Sequence, residues 1–541
     1  MWTRAPSCDD LCEPRNKDGA LVTGLSFEPL TPTSFLERAA AVFARRVAVV
    51  DGELTLTYTE LWDRVRLLAG GLSGAGVRPG DRVGLLAANG HLLLESTFGV
   101  PAAGAVMVPM NIRLSPGELA YIIDHAEVSV LLHDDEHAEL AAAACAGSRA
   151  RPRRVSGGEY EQLLAGAEPL LVRVDDELSP LSINYTSGTT GRPKGVVYHH
   201  RGAYLQALAM ALHTRLDAAG GYLWTLPMFH CHGWCFPWAV TLAGARHVCL
   251  PKVDPPLAWR LIRTHRVTHL CGAPTVLTSL LAHPDAPTGP LEPRLLACVG
   301  GAPPSPALIA RALRAGIDVI HLYGLTETYG PAVICQPQPE WSDLDAGELA
   351  AVTARQGVGN VIAQRIRVVD EQGGDVPADA ATIGEIAVRG NDVMVGYHRD
   401  PGATEKAAPD GWFRTGDLAV LHPDGYVQLV DRAKDVIISG GENIASIEVE
   451  NALVSHPAVE EAAVVARPDA HWGEVPVAYV SLAAGASATE GELIQHVRDR
   501  LAHFKAPKAI VFGDLPKTST GKIQKNVLRE RAATGRPAPE I

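Results

Sequence analysis

Residues 180–196 read PLSINYTSGTTGRPKGV. The run from Pro180 to Tyr185 is short and mostly apolar, the pattern of a buried strand. It then breaks into hydroxyls and glycines: Thr186, Ser187, Gly188, Thr189, Thr190 and Gly191, followed by Arg192, Pro193, Lys194 and Gly195. Glycines let a backbone fold tightly and turn several N–H groups toward one point. The hydroxyls add donors and Lys194 adds a positive charge, so the loop has the parts needed to hold a polyphosphate. A Walker A loop requires Gly-x-x-x-x-Gly-Lys-Ser/Thr. Here Lys194 follows Pro193 and precedes Gly195, which excludes that motif. By composition alone the segment fits a flexible surface loop as well as a phosphate cradle.

The rest of the chain narrows the choice. At 541 residues it is too long for one core, so two or more domains are expected. A hydrophobic content of 47% and a charged content of 20% describe an ordinary globular protein. The net charge of −13 argues against general nucleic-acid binding. No apolar h-region follows Arg4, where Cys8, Asp9, Asp10 and Cys12 stand instead, so no signal peptide is read. The apolar stretch from Leu92 to Met110 is interrupted by Glu95, Gly99, Pro101 and Gly104, and reads as α/β core rather than a membrane span. Nine cysteines, an odd number, point to free thiols in a reducing compartment, and a cytoplasmic location is expected.

The order of elements points to an α/β fold. Residues 1–30 read as a loosely attached polar arm. In TYTELWDRVRLLAGGL, Leu61, Val65, Leu68 and Leu72 fall on one helix face, and 78–87 reads as a turn and a strand. The basic run Arg151–Arg154 fits a solvated loop better than a binding patch. From 180 to 330, apolar runs at 222–228, 246–251, 268–274, 295–302 and 317–324 alternate with helical stretches at 197–215, 257–265, 275–283 and 305–315. That alternation predicts βαβ units with mostly parallel sheets, whose ligands sit beyond the strand C-termini. Residues 380–430 read as β-rich, with turns at Pro401-Gly402, Asp410-Gly411 and Asp424-Gly425. A small α+β unit follows, in which Thr489 and Glu492 have the spacing of a capping box and Leu493, Val497 and Leu501 form an apolar face. The predicted division is a large domain over 1–431, a hinge at 432–434 and a small mobile domain over 435–541.

Residues 185–196 resemble the phosphate-binding signature of the adenylate-forming superfamily, which contains the acyl-CoA synthetases, and further segments repeat the resemblance in order across about residues 30–530. LPMFHCHGW (226–234) is similar to the segment lining the acyl pocket. His230 would hold the lining position, with His232, Gly233 and Trp234 beside it. His230, Cys231, His232 and Cys235 could also suit a metal, but no second ligand pair stands at zinc spacing. Related synthetases often carry Asn where His232 stands. GGAPPS (300–305) resembles the adenine-flanking segment, which implies Gly301, Ala302 and Pro303 at the nucleotide and Val299 and Gly300 at the acyl chain; without the resemblance it is an ordinary strand–helix loop. In HLYGLTET (321–328) the resemblance implies Tyr323 on adenine, Thr326 at the α-phosphate and Glu327 as a ligand of Mg²⁺. Acetyl-specific relatives place a bulky tryptophan where Gly324 stands, which implies an acid larger than acetate: medium-chain, aromatic or otherwise bulky.

Asp417, in GWFRTGDL, would accept the ribose hydroxyls, Arg432 would support the nucleotide, and Lys434 would be the pivot between domains. SGGENI (439–444), through Ser439, Gly440, Gly441 and Glu442, would line a pantetheine channel, with Lys505 and Lys508 near the phosphates of coenzyme A; a plain turn and a solvated lysine pair are the alternatives. Lys522, in PKTSTGKIQK, would bridge the substrate carboxylate and the α-phosphate. The implied enzyme joins a carboxylic acid to CoA through an acyl-adenylate, using ATP and Mg²⁺. The motifs leave open a carrier-protein thiol as acceptor, a single half-reaction shared with a partner enzyme, a nucleotide-binding protein without catalysis, and a homodimer.

Overall fold

The computed structural model describes residues 28–186, 193–469, 471–518 and 521–534. Two large sheets form the body of the chain. The first has nine strands in the spatial order Val358–Gly359, Gly330–Ile334, Ile317–Leu325, Leu295–Gly300, His269–Gly272, Gly221–Leu223, Arg246–Val248, Val47–Asp51 and Leu54–Thr57. The six from Ile317–Leu325 to Val47–Asp51 are parallel, each to its neighbour. The second has seven strands, in the order Gly396–Tyr397, Lys194–His199, Pro180–Thr186, Val106–Pro109, Arg82–Leu86, Val128–His133 and Arg153–Val155.

One core lies between these sheets and takes side chains from both, among them Leu85, Met107, Tyr198, Tyr222, Cys298 and Leu322. The outer face of each sheet has its own core, around Trp259 and Leu277 for the first and Leu119 and Ile123 for the second. This is the layering expected of sheets covered on both faces. The helix Tyr58–Gly74 buries Leu61, Val65, Leu68 and Leu72 as their spacing predicts, and Thr57 and Glu60 cap it reciprocally. Leu92 to Met110 folds as the buried helix His91–Ala102 and the strand Val106–Pro109. No helix of the described residues is long and apolar enough to cross a membrane.

Two smaller sheets complete the chain. A four-stranded antiparallel sheet, Arg367–Val369, Gly384–Val388, Phe413–Leu421 and Val427–Arg432, is the β-rich part of the large domain. The chain leaves it at Arg432 and enters the small domain at Ile437–Ser439, one of five strands with Glu442–Ile444, Gly473–Leu482, Val459–Asp469 and Ala509–Phe512. The Thr489–Glu492 capping box forms, with Glu492 N–H donating to Thr489 Oγ1 at 3.3 Å and Thr489 N–H to Glu492 Oε2 at 2.7 Å.

Several local readings change. Val197 to His199 belong to a strand, and the helix opens only at His200. Pro180–Thr186 and Lys194–His199 are antiparallel, so the strand before residues 187–192 pairs with a second strand before any helix opens. Pro401-Gly402 opens the helix Pro401–Ala407, capped by Asp400 accepting from Ala403 N–H at 2.9 Å. A proline at the first helical position mimics a turn in sequence because its missing N–H is harmless in both. Tyr222 to Met228 is strand only as far as Leu223. Leu501 lies beyond the end of the helix Glu490–Arg498. Arg153 and Arg154 sit exposed on an edge strand rather than a loop.

Candidate active site

Parallel strands place their C-terminal ends on one edge, and three predicted segments meet there. Residues 224–235 follow the strand Gly221–Leu223, residues 301–304 follow Leu295–Gly300, and Thr326 and Glu327 follow Ile317–Leu325. The phosphate hairpin comes from the other sheet. Thr186 and Lys194 are cross-strand partners at its mouth. Ser187, Gly188, Thr189, Thr190 and Gly191 lie outside the described residues.

On the nucleotide side, Asp417 is buried, with 2% exposure, yet its two carboxylate oxygens are held from different elements. Tyr323 Oη donates to Oδ2 at 2.7 Å, and Arg432 Nε lies 3.0 Å from Oδ1. Burial and the adjacent Asp417 carboxylate raise the Tyr323 phenol well above its ordinary range. Gly301 has φ +78° and open space where a Cβ would stand, which leaves this turn free for close approach by a flat ring.

Glu327 shows an arrangement that the sequence does not announce. Tyr397 Oη donates to Glu327 Oε1 at 2.8 Å, and Met394 N–H donates to the Glu327 carbonyl at 2.8 Å. The Lys194 ammonium stands 4.6 Å from the centre of the same Tyr397 ring. Tyr397 therefore joins the phosphate-loop lysine to the predicted metal ligand. Among the described residues no three His, Cys, Asp or Glu side chains gather as a metal cage. A single held carboxylate beside a phosphate loop suits Mg²⁺, which takes one or two protein oxygens and completes its shell from phosphates and water.

Thr326 is held from behind. Tyr198 Oη donates to its carbonyl at 2.6 Å, and the Cys231 thiol lies 3.3 Å from its hydroxyl. Burial pushes that thiol up to about 12, so Cys231 stays protonated and acts as a donor. Cys231, His232, Gly233, Trp234 and Cys235 all have φ between 47° and 65°, five consecutive left-handed residues of which only one is glycine. Left-handed runs are strained for side-chain-bearing residues, and such strain collects at ligand sites. The four residues weighed as metal ligands do not converge: Cys231 meets Thr326, Cys235 meets the Tyr329 carbonyl, His230 feels the Lys522 charge, and both His232 ring nitrogens have no partner.

Trp234 is buried, with its indole against two glycines. A Cβ built on Gly300 would lie 3.0 Å from Trp234 Cη2, and one on Gly330 would lie 3.1 Å from Trp234 Cδ1. Gly300 thus faces Trp234, and strand alternation sends Val299 to the opposite core with Trp259 and Leu277. Val299 is therefore not a wall of this pocket, in contrast to the sequence expectation. A Cβ on Gly324 would lie 1.8 Å from the Gly330 carbonyl oxygen. Glycine is required there by strand pairing, so its presence reports little about pocket size.

Lys522 reaches this site from the small domain. Burial, then the nearby Arg432 charge, push its amine down to about 8, with Asp417 and Asp435 acting in the opposite direction. Burial and the Lys522 charge push His230 down to about 4, which places the two side chains near each other and leaves the imidazole neutral near pH 7. Thr275 Oγ1 of the large domain donates to the Gly521 carbonyl at 3.1 Å, fastening the loop that carries Lys522. Lys434 lies just past Arg432, its ammonium disfavoured by burial and by Arg432. The CoA candidates are elsewhere. Gly440, Gly441 and Glu442 are exposed, Ser439 is buried, Lys505 Nζ is paired with Glu448 at 2.6 Å, and Lys508 is exposed. Sequence reasoning missed Tyr397, Tyr198 and Thr275, and named Cys231 only as a possible metal ligand; these residues meet the motif residues through pairing of distant strands and docking of the small domain.

Comparison with known proteins agrees with this geometry. The AMP-binding enzyme family matches residues 36–398, and the AMP-binding enzyme C-terminal domain matches residues 448–522. The chain is 42% identical to a 4-hydroxybutyrate–CoA ligase of Metallosphaera sedula, over 96% of this chain and 97% of that one. It is also 42% identical to a peroxisomal acetate/butyrate–CoA ligase of Arabidopsis thaliana, over 95% of this chain and 96% of that one. Among solved structures, the anthranilate CoA ligase AuaEII in complex with anthranoyl-AMP superposes with a TM-score of 0.85 at 26% identity, covering 93% of this chain and 98% of that one. With both domain matches in order and relatives similar along almost the whole chain, this protein belongs to the AMP-binding enzyme family, within the adenylate-forming superfamily of acid–CoA ligases.

Proposed function

We propose that this protein is an acyl-CoA synthetase for short carboxylic acids, forming an acyl-adenylate from ATP and then passing the acyl group to CoA. The observation that carries the short-chain reading is Trp234, whose indole fills the space against Gly300 and Gly330, within the segment proposed to line the acyl pocket. The relatives named for 4-hydroxybutyrate and for acetate or butyrate support the same size class. A medium-chain or aromatic acid is the competing reading, and it loses support because Gly324 answers to strand pairing.

In the first step a carboxylate oxygen attacks the α-phosphorus of ATP in line, the bond to the bridging oxygen breaks, and pyrophosphate leaves. Lys522 neutralises charge shared by the carboxylate and the α-phosphate. The Thr326 hydroxyl is aimed at the same oxygens by Tyr198 and Cys231. Asp417 and Arg432 fix the ribose side, and Lys194 with the phosphate loop holds the β- and γ-phosphates. Glu327, steadied by Tyr397, would hold Mg²⁺, which supplies positive charge to the leaving pyrophosphate. Positioning and charge stabilisation suffice, and no protein nucleophile is required.

In the second step the CoA thiolate attacks the acyl carbon and AMP leaves. The Lys522 loop occupies one approach to the site, so the small domain turns about residues 432–434, with Lys434 as pivot, and brings Ser439 to Glu442 in its place. Lys505 exchanges Glu448 for a CoA phosphate, and Lys508 lies beside it. The test measures CoA-ester formation across acetate, propionate, butyrate, hexanoate, octanoate and benzoate, with pyrophosphate exchange read separately. The expected optimum is at four carbons or fewer. An optimum at octanoate or benzoate would overturn the size assignment, and thioester formation from synthetic acyl-adenylate without any exchange would overturn the two-step reading.

A further inference from the structure

His232 is 1% exposed, and neither of its ring nitrogens has a hydrogen-bond partner. Burial pushes the imidazole down to about 3, so at neutral pH it is uncharged and carries one N–H donor and one acceptor nitrogen. Buried polar groups are nearly always paired, and an orphaned one needs a reason. Its backbone sits in the strained left-handed run 231–235. The ring is flanked by Tyr198, at 6.1 Å between centroids, and by Trp238, at 5.2 Å.

The surroundings give the ring a direction in the chemistry. His230, two residues earlier, feels the Lys522 charge, and Cys231 touches the Thr326 hydroxyl, so the preceding two residues face the groups proposed above to meet the carboxylate and the α-phosphate. Tyr198, which lies beside His232, holds the Thr326 carbonyl. Asp417, Tyr323 and Arg432 occupy the nucleotide side. In the proposed reading this leaves His232 on the side of the acyl chain.

Resting on the short-acid reading above, we propose that His232 is a specificity-determining residue that hydrogen-bonds a hydroxyl on the acyl chain, making this enzyme selective for short hydroxy acids over their methyl isosteres. A hydroxyl is itself one donor and one acceptor, the complement of a neutral imidazole. A second carboxylate is disfavoured, because the ring offers no positive charge to it. A site built to bond a substrate hydroxyl rejects the analogue lacking it, since a buried polar group is then left unpaired.

The test compares kcat/KM for CoA-ester formation within two isosteric pairs, 4-hydroxybutyrate against pentanoate and 3-hydroxybutyrate against 3-methylbutyrate. Wild type, His232→Leu and His232→Asn are each measured. Only the ratio within each protein is read, so a general loss of activity or folding cancels. The wild-type ratio is expected to favour the hydroxy acid by at least about tenfold in one pair. In His232→Leu it should fall to one or below, and in His232→Asn, which keeps a polar group of shorter reach, it should lie between. Ratios near one for both pairs in wild type, or a preference unchanged in both variants, would overturn the proposal; the latter is the result expected if ordered water satisfies the ring. If propionate and butyrate are turned over while the ratios stay near one, only this inference falls. If no short acid yields a CoA ester, the functional reading falls with it.

Discussion

Lys522 sets the clearest expectation for single residues. Its amine is pushed down to about 8 by burial and then by Arg432, so the cation that the proposed mechanism sets beside the carboxylate and α-phosphate is lost as pH rises through that value. The limb of kcat/KM reports the free enzyme. Adenylation kcat/KM, followed by pyrophosphate exchange, should therefore decline above about pH 8. Bound phosphates favour the charged form, so the limb in kcat should lie higher. Lys522→Arg should move the first limb up beyond the assay range, and Lys522→Ala should lower exchange by about 100-fold or more, the scale of removing a transition-state charge. His230, pushed down to about 4, is neutral throughout this window and contributes no limb above pH 5. Tyr397 gives a different signature. Removing its hydroxyl frees one oxygen of Glu327, so Tyr397→Phe should raise the Mg²⁺ concentration for half-maximal activity by about tenfold, the scale of a hydrogen bond to a charged group. Titrating Mg²⁺ at saturating ATP checks this, and an unchanged midpoint would mean that Tyr397 only packs. Lys522, Glu327 and Asp417 can be nominated from sequence because each sits inside a long specific motif, and their roles belong to the proposed mechanism. Tyr397 cannot be, since nothing in the chain signals that its strand pairs beside the phosphate hairpin.

Among elements, alternation of strands and helices was enough to predict parallel sheets with the site at their C-terminal edge. It did not distinguish the hairpin Pro180–Thr186 with Lys194–His199 from a strand–helix turn, because an apolar run before a helix fits both. The left-handed turn 231–235 was invisible for a related reason: Gly233 alone hints at positive φ, and four other residues adopt it under tertiary constraint. Side-chain alternation also redistributed the pocket, turning Gly300 toward Trp234 and Val299 away from it. The Gly324 position is testable here. A methyl group at 1.8 Å from the Gly330 carbonyl oxygen forces the paired strands apart. Gly324→Ala should destabilise the large domain by about 1–3 kcal/mol or more, the range for overpacking. Thermal unfolding measures it, and an unchanged midpoint would show that position 324 faces open space after all.

For the whole molecule, composition and length anticipated two domains, but the orientation of the small one is a property of docking that no local pattern encodes. The structure holds Lys522 inside the site and leaves the Ser439–Glu442 segment outside it. The contact is not tightly filled. A cavity of about 460 Å³ separates Pro303, Pro304 and Gln356 of the large domain from Ile447 and Asn451 of the small one. Loosely packed interfaces between domains permit relative motion, and in the proposed two-step reading that motion would let one site serve both half-reactions. Thr275 and Gly521 offer a way to stop it. A Cβ on Gly521 lies 3.6 Å from the Thr275 Cβ, within the roughly 3.5–4.5 Å span of a disulfide. The seven cysteines of the described residues are buried and free. The decisive measurement is therefore made on the Thr275→Cys, Gly521→Cys double variant, oxidised and then reduced, with pyrophosphate exchange and CoA-ester formation followed in parallel. Gly521 has φ +83°, which is strained for cysteine, so the reduced double variant is the reference. The locked oxidised protein should keep that exchange rate and lose CoA-ester formation by about 100-fold or more, the scale expected when a required state is excluded, with full recovery on reduction. CoA-ester formation at the same rate in the locked and released forms would contradict the account.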